Sequence, residues 1–119
     1  MLYNNGFYKN AGGLARPLTK EELRNEIKIR LDRGQTNLND IDTSKITNMS
    51  FLFQFFNHIQ DIDISLWNVS NVRSMAGMFY NCKNFNCDLS GWDIGNVESC
   101  VDMFLRSGMR INKRLPHKD

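Results

Sequence analysis

Trp67-Asn68-Val69-Ser70-Asn71-Val72-Arg73-Ser74-Met75-Ala76-Gly77-Met78-Phe79 decides the fold. It returns 25 residues later as Trp92-Asp93-Ile94-Gly95-Asn96-Val97-Glu98-Ser99-Cys100-Val101-Asp102-Met103-Phe104. An earlier copy, Ile41-Asp42-Thr43-Ser44-Lys45-Ile46-Thr47-Asn48-Met49-Ser50-Phe51-Leu52-Phe53, lies 26 residues before the Trp67 copy. A large apolar residue, an Asx residue and then apolar positions ending in Phe recur in register. Met75, Met78, Phe79 and Cys82 are spaced by three and four, the pattern of a one-sided helical turn. Cys82 aligns with Phe56, so both are expected to point inward. Asp42, Asn68 and Asp93 fall where the chain changes direction, and their side chains suit Asx turns.

A period of 25 residues lies in the range of leucine-rich repeats. The expected fold class is an α/β solenoid, leucine-rich-repeat-like, of three to four short coils with an N-terminal capping helix. Strands are expected before the tryptophans, at Ile59–Ile64 and Phe85–Leu89, with a first strand ending at Leu38. Ile111–Leu115 has the spacing of Phe85–Leu89 and reads as a truncated fourth coil. Leu38, Ile64, Leu89 and Leu115 then form one buried ladder, with coils about 4.8 Å apart.

Phe79-Tyr80-Asn81-Cys82-Lys83-Asn84-Phe85-Asn86 and Asp88-Leu89-Ser90-Gly91-Trp92-Asp93-Ile94 resemble the BspA-like leucine-rich-repeat family of bacterial and mobile-element proteins. The resemblance covers about residues 36–115. It implies a solenoid and a binding role, often at cell surfaces, and brings no shared enzymatic activity or cofactor. The chain differs from the surface-protein members in its length and in lacking a leader.

Exposed apolar ends of a repeat stack need covering. Thr19-Lys20-Glu21-Glu22 is a capping box, flanked by Leu18 and Leu23 as a hydrophobic staple. Leu23, Ile27 and Leu31 share one face, and Gly34 suits the helix end. A helix over about 20–33 is expected to cover the first coil, with its Lys and Arg residues facing water. The domain organisation is then residues 1–17 as a flexible segment carrying glycines and aromatics, 18–35 as the capping helix, 36–115 as the repeat body and 116–119 as a basic tail.

The 119 residues suit one domain, and 41% hydrophobic content suits a folded one. A net charge of +2 does not by itself point to nucleic acid. Its distribution is uneven. Residues 1–35 hold seven Lys/Arg against four Asp/Glu, residues 36–109 four against eight, and residues 110–119 four against one. Three cysteines cannot all pair within one chain, so Cys82, Cys87 and Cys100 read as free thiols of a reducing compartment. Register places all three inward. With no apolar run of signal-peptide or membrane-helix length, a cytoplasmic location is expected, or the cell surface if a leader was removed.

Two surfaces stand out. Phe51 and Phe55 occupy positions held by Gly77 and Asn81 in the next unit and by Asp102 and Arg106 in the third. Those equivalents read as solvent-facing, and an exposed aromatic pair marks a contact. The alternative is that residues 1–16 or the cap helix cover the pair. The second surface is the outer face around Asp61, Asp63, Asn86 and Asp88. Like charges stacked across neighbouring units are unfavourable without a counter-ion. Either a basic partner supplies it, or Arg114, which aligns with Asp88, or Lys113 does so internally.

No catalytic, cofactor or metal site is expected. His58 and His117 are outside any zinc spacing, and no glycine-rich phosphate loop follows a strand. Asp61-x-Asp63-x-Ser65 lacks the glycine and distal glutamate of a calcium loop. The expected function is a non-enzymatic protein-binding module, including a small regulator or inhibitor of a host protein complex encoded by a mobile element. The alternatives are an adhesin-like repeat without its leader, and a nucleic-acid or nucleoprotein binder using the basic ends.

Overall fold

Thr19 opens the one helix of the described residues, α1 (Lys20–Asp32), in a computed structural model that describes residues 15–56, 59–109 and 114–116. Thr19 Oγ1 accepts the Glu22 N–H at 3.1 Å, and Glu22 Oε1 accepts the N–H of Leu18 at 2.8 Å. The capping box therefore forms, with the glutamate reaching one residue further back than the motif requires. The staple does not close, because Leu18 is 57% exposed while Leu23 is fully buried. At the other end Gln35 N–H reaches Arg30 O and Gly34 N–H reaches Leu31 O, both at 2.9 Å. This paired closure needs a left-handed residue, and Gly34 supplies it at φ +77°.

Leu23 and Ile27 seat α1 on the body, and Glu26 and Arg30 are buried beside them. Arg30 Nε lies 2.7 Å from Glu26 Oε2, and its Nη1 lies 2.6 Å from Asp40 Oδ1. The expectation that the Lys and Arg residues of α1 face water is corrected here. Lys20 Nζ donates to Ser50 O at 3.1 Å, and Arg24 donates to Leu52 O and Gln54 O. Three side chains of α1 are thus committed to the body.

The body is built from corners. A first set follows Asn37, Asp63 and Asp88, whose Oδ1 atoms accept the N–H two residues on, at 3.0, 3.0 and 2.9 Å. A second follows Asp42, Asn68 and Asp93, each at 3.0 Å. A third follows Asn48 at 2.8 Å, with longer contacts to the hydroxyls of Ser74 and Ser99. Short polar side chains that hold their own backbone are what turns favour. Each corner runs into a four-residue turn closed by a backbone hydrogen bond, as in Ile64–Trp67, Val69–Val72 and Met75–Met78. The residues at the two ends of these turns are apolar and buried, and those between them are exposed or half-buried, except Gly77, which is buried beneath Phe51.

This geometry overturns the expected leucine-rich-repeat-like α/β solenoid. Among the described residues there is neither a strand nor a sheet; isolated bridges stand in their place, among them the parallel ones at Asn37–Asp63, Asn48–Ser74 and Ser74–Ser99. Where strands were expected the chain turns instead. Ile62 N–H bonds Ile59 O, and Phe85 N–H bonds Cys82 O. Within each unit the three corners stand five or six residues apart, and the longer stretches between sets are taken up by further turns such as Met49–Leu52 and Phe53–Phe56, so no extended run is left. The expected helical turn at Met75–Cys82 is likewise broken, because Gly77 and Asn81 have φ of +61° and +62°. A Cα radius of gyration of 13.7 Å matches the roughly 13.5 Å of a compact chain of this length.

The internal register does hold. Trp67 and Trp92 are both buried, and their Nε1 atoms donate to Leu38 O at 2.9 Å and Ile64 O at 3.1 Å. Leu38, Ile64 and Leu89 are fully buried and Leu115 partly so. Phe53, Phe79 and Phe104 stack with centroids 5.4 and 5.6 Å apart, and Phe85 packs on Phe79 at 4.3 Å. Arg24 covers Phe56 at 4.5 Å beside this column, and Arg114 ends it over Phe104 at 5.0 Å. The expectations for residues 1–14, His58, Ile111, Lys113 and 117–119 lie outside the described residues.

Candidate functional site

The third corner of each unit carries two residues with left-handed backbone. They are Phe51 and Phe55 (φ +53° and +69°), Gly77 and Asn81, then Asp102 and Arg106 (φ +56° and +60°). The three pairs are the ones aligned by sequence register. Glycine and asparagine tolerate this conformation, whereas a Cβ-branched or aromatic side chain is strained in it by about 1–2 kcal/mol. Phe51 N–H donates to Ala76 O and Gly77 N–H to Val101 O, so the corners lie edge to edge across the units.

Phe51 is 42% exposed and Phe55 86% exposed. Phe51 lies over Gly77 and meets the Tyr80 ring edge-on with centroids 6.4 Å apart. Phe55 shares a cleft of about 320 Å³ with Phe53, Phe56, Tyr80 and Asn81. Tyr80 thus links the two phenylalanines. Further along the same corner, Val101 and Leu105 are 66% and 47% exposed. These two and Tyr80 were missed at the level of sequence, although the register that aligned Phe51 with Gly77 also places them beside it.

The acidic residues are also brought together. Asp61, Asp63, Asn86 and Asp88 line one shallow depression with Cys87 between them. Asp63 and Asp88 are turn formers first. Asp63 Oδ1 accepts Ser65 N–H at 3.0 Å and its hydroxyl at 2.7 Å, and Asp88 Oδ1 does the same for Ser90 at 2.9 and 2.7 Å. The Ser65 backbone and hydroxyl hydrogen bonds hold the Asp63 carboxyl below its usual range, with Asn39 adding to them. Arg114 does not join this face. It sits over Phe104 and donates from Nε to Met109 O at 3.3 Å, so it cannot be the internal counter-ion expected for Asp63 and Asp88.

The cysteines separate into three environments. Cys82 is buried as expected, and burial pushes its thiol up to about 11. Cys87 is half-buried, and burial and then the charges of Asp63 and Asp88 raise its thiol. Cys100 was expected in the core by its alignment with Met75 but is exposed. It belongs to the third unit and lines an open cleft with Phe104, Arg106 and Arg114. Among the described residues no three His, Cys, Asp or Glu side chains converge as metal ligands, and no helix is long and apolar enough to cross a membrane.

No curated protein and no solved structure matches the chain. Residues 23–116 do match one family, described as "Mycoplasma protein of unknown function, DUF285", and the chain belongs to that family.

Proposed function

We propose that the protein is a non-enzymatic protein-binding module whose third-corner face, centred on Phe55, meets the partner. The observation that carries this reading is Phe55 itself. It is 86% exposed and holds a left-handed backbone where the equivalent positions have Asn81 and Arg106. Strain of about 1–2 kcal/mol in an aromatic residue that buries little of its ring gives the isolated fold no return. Burial of that ring against a second protein would supply about 1.5–3 kcal/mol. Phe51, Tyr80, Val101 and Leu105 extend the apolar surface across all three units. The finer reading, a short relative of the BspA-like repeat proteins, is supported by the family match and by the motifs around Phe79–Asn86 and Asp88–Ile94.

The test compares wild-type protein with Phe55→Asp in affinity capture from the native cell followed by mass spectrometry. A protein retained by the wild type and lost from a Phe55→Asp variant with unchanged circular dichroism and melting supports the reading. The same proteins retained by both would reject this face.

A further inference from the structure

Arg16, Lys28, Arg30 and Arg73 each face a carboxylate, at 2.6 to 3.0 Å. Lys20 and Arg24 have none among the described residues. Lys20 Nζ donates to Ser50 O and Ser50 Oγ, and the Arg24 guanidinium donates one N–H to Leu52 O and one to Gln54 O. Those acceptors are neutral, so both charges stay uncompensated. Both groups also keep N–H donors in hand, since an ammonium has three and a guanidinium five. Neither residue is fully buried. Their position ties them to the aromatic face. Arg24 lies over the Phe56 ring at 4.5 Å, and Phe56 and Gln54 line the same cleft as Phe55 and Tyr80. Arg106, aligned with Phe55 two units on, is exposed and is also without an ion pair among the described residues. Asp102 is the one carboxylate among the six left-handed positions of this corner.

We infer that the partner of this face presents an acidic segment, with one large apolar side chain entering the cleft beside Phe55 and a neighbouring carboxylate meeting Arg24 and Lys20. The inference rests on the proposed protein-binding role of the same face and adds the chemistry of what binds there. The cleft holds about 320 Å³, small among ligand clefts, so it takes a single side chain. A carboxylate at its border meets cations whose present acceptors are uncharged. A hydrogen bond between two charged groups is about twice as strong as a neutral one. Charge matching of this kind selects partners and speeds encounter more than it adds affinity.

Single-stranded nucleic acid also stacks on exposed aromatics, but it needs cations that track a run of phosphates. Residues 36–109 carry eight Asp/Glu against four Lys/Arg, so most of the body repels a polyanion. A short acidic segment meets only the border with α1. A second copy of the chain would have to offer the acidic depression. There the carboxylates of Asp63 and Asp88 already hold the N–H and hydroxyl groups of Ser65 and Ser90. Pairing two different surfaces of one protein is also heterologous, and it runs into open chains unless the rotation closes a ring.

The probe is a phage-displayed library of random peptides of about twelve residues, selected on the immobilised full chain at about 50 mM salt, where exposed charges are little screened. Expected is enrichment of sequences that place an aromatic or large aliphatic residue beside Asp or Glu. Synthetic copies of the enriched peptides are then titrated calorimetrically. Binding is expected to be lost in Phe55→Ser, which removes the ring without adding charge, and to weaken about tenfold or more in Lys20→Gln/Arg24→Gln. Glutamine keeps an N–H donor for the carbonyls while removing the charge. Wild-type affinity is expected to fall about tenfold between about 50 and 500 mM salt, a measurement that needs no variant to fold. Peptides that depend on Phe55 but show no acidic enrichment and no salt dependence overturn this inference and leave the protein-binding face standing. Peptides indifferent to Phe55→Ser, or no enrichment at all, overturn both. Oligothymidylate binding more tightly than the peptides at the same salt overturns the acidic segment. So does self-association in sedimentation that Phe55→Ser abolishes.

Discussion

A methyl group on Gly77 would stand 2.3 Å from Cε1 of Phe51, on a backbone already at φ +61°. Two separate penalties therefore meet at one residue. The left-handed backbone disfavours any Cβ by about 1–2 kcal/mol, and the Phe51 ring has to move. Gly77→Ala is expected to destabilise the protein by about 1–3 kcal/mol in urea denaturation. Phe51→Ala in the same background removes the collision and is expected to restore part of the loss. A full recovery would show that the backbone conformation contributes nothing. Sequence register aligned Phe51, Gly77 and Asp102 and placed them outside the core. It did not reveal their shared left-handed geometry, because Phe and Asp carry no sign of a conformation that the stacking of units imposes on them. Cys100 shows the opposite failure. Its alignment with Met75 was sound, but burial depends on a covering neighbour: Met75 is paired with the third unit through Ser99, whereas Cys100 lies in an open cleft.

At the scale of the element, α1 combines what is local with what is not. Its start at Thr19 and its stop at Gly34 were legible, because each rests on hydrogen bonds within five residues of the cap. The destinations of Lys20 and Arg24 were not, because their acceptors lie 28 to 30 residues away. Arg24→Met keeps an aliphatic stem over Phe56 but abandons the carbonyls of Leu52 and Gln54. A lost charged hydrogen bond to partly buried carbonyls predicts destabilisation by about 1–3 kcal/mol. Lys28→Met is the control. Its partner Asp32 is 3.0 Å away, but both side chains are 66% exposed, so a change within about 0.5 kcal/mol is expected. Equal losses in thermal unfolding would remove the special role given to Arg24.

At the scale of the whole molecule, acid is expected to loosen the contact between the segment entering α1 and the body. Asp42 accepts Ser44 N–H at 3.0 Å and Arg16 Nε at 2.9 Å, while its own N–H donates to Ala15 O at 2.8 Å. The Ser44 hydrogen bonds first, and the Arg16 guanidinium after them, lower its carboxyl from 3.8 to about 2. The folded state therefore releases this proton at a lower pH than the unfolded chain does. Its stabilising contribution is complete above the unfolded value near 4, and it fades as the pH falls towards 2. Asp42→Asn should be less stable than the wild type at neutral pH and should lose less between pH 5 and pH 2. Urea midpoints across that range decide it, and parallel pH profiles for the two proteins would exclude Asp42 as a source of the acid sensitivity.

The candidate faces were half legible on the same grounds. Phe51 and Phe55 were found because register compares one unit with the next, and the cluster of Asp61, Asp63, Asn86 and Asp88 followed from the same comparison. Arg114 was misplaced, because a side chain at the end of a repeat array answers to the aromatic column it terminates rather than to its alignment with Asp88.

The sequence by itself determined the period, the Asx corners at Asp42, Asn68 and Asp93, the bounds of α1 and most of the residues turned inward, Cys100 excepted. Those properties depend on side chains acting on backbone a few positions away and on apolar residues leaving water. Only the tertiary structure decided that the units form turns instead of strands, that α1 covers a row of carbonyls, and that Cys100 lies in an open cleft. Hydrogen bonds between residues about 25 apart exist only after the chain has folded back on itself, and nothing within one unit specifies which of its donors the next will satisfy.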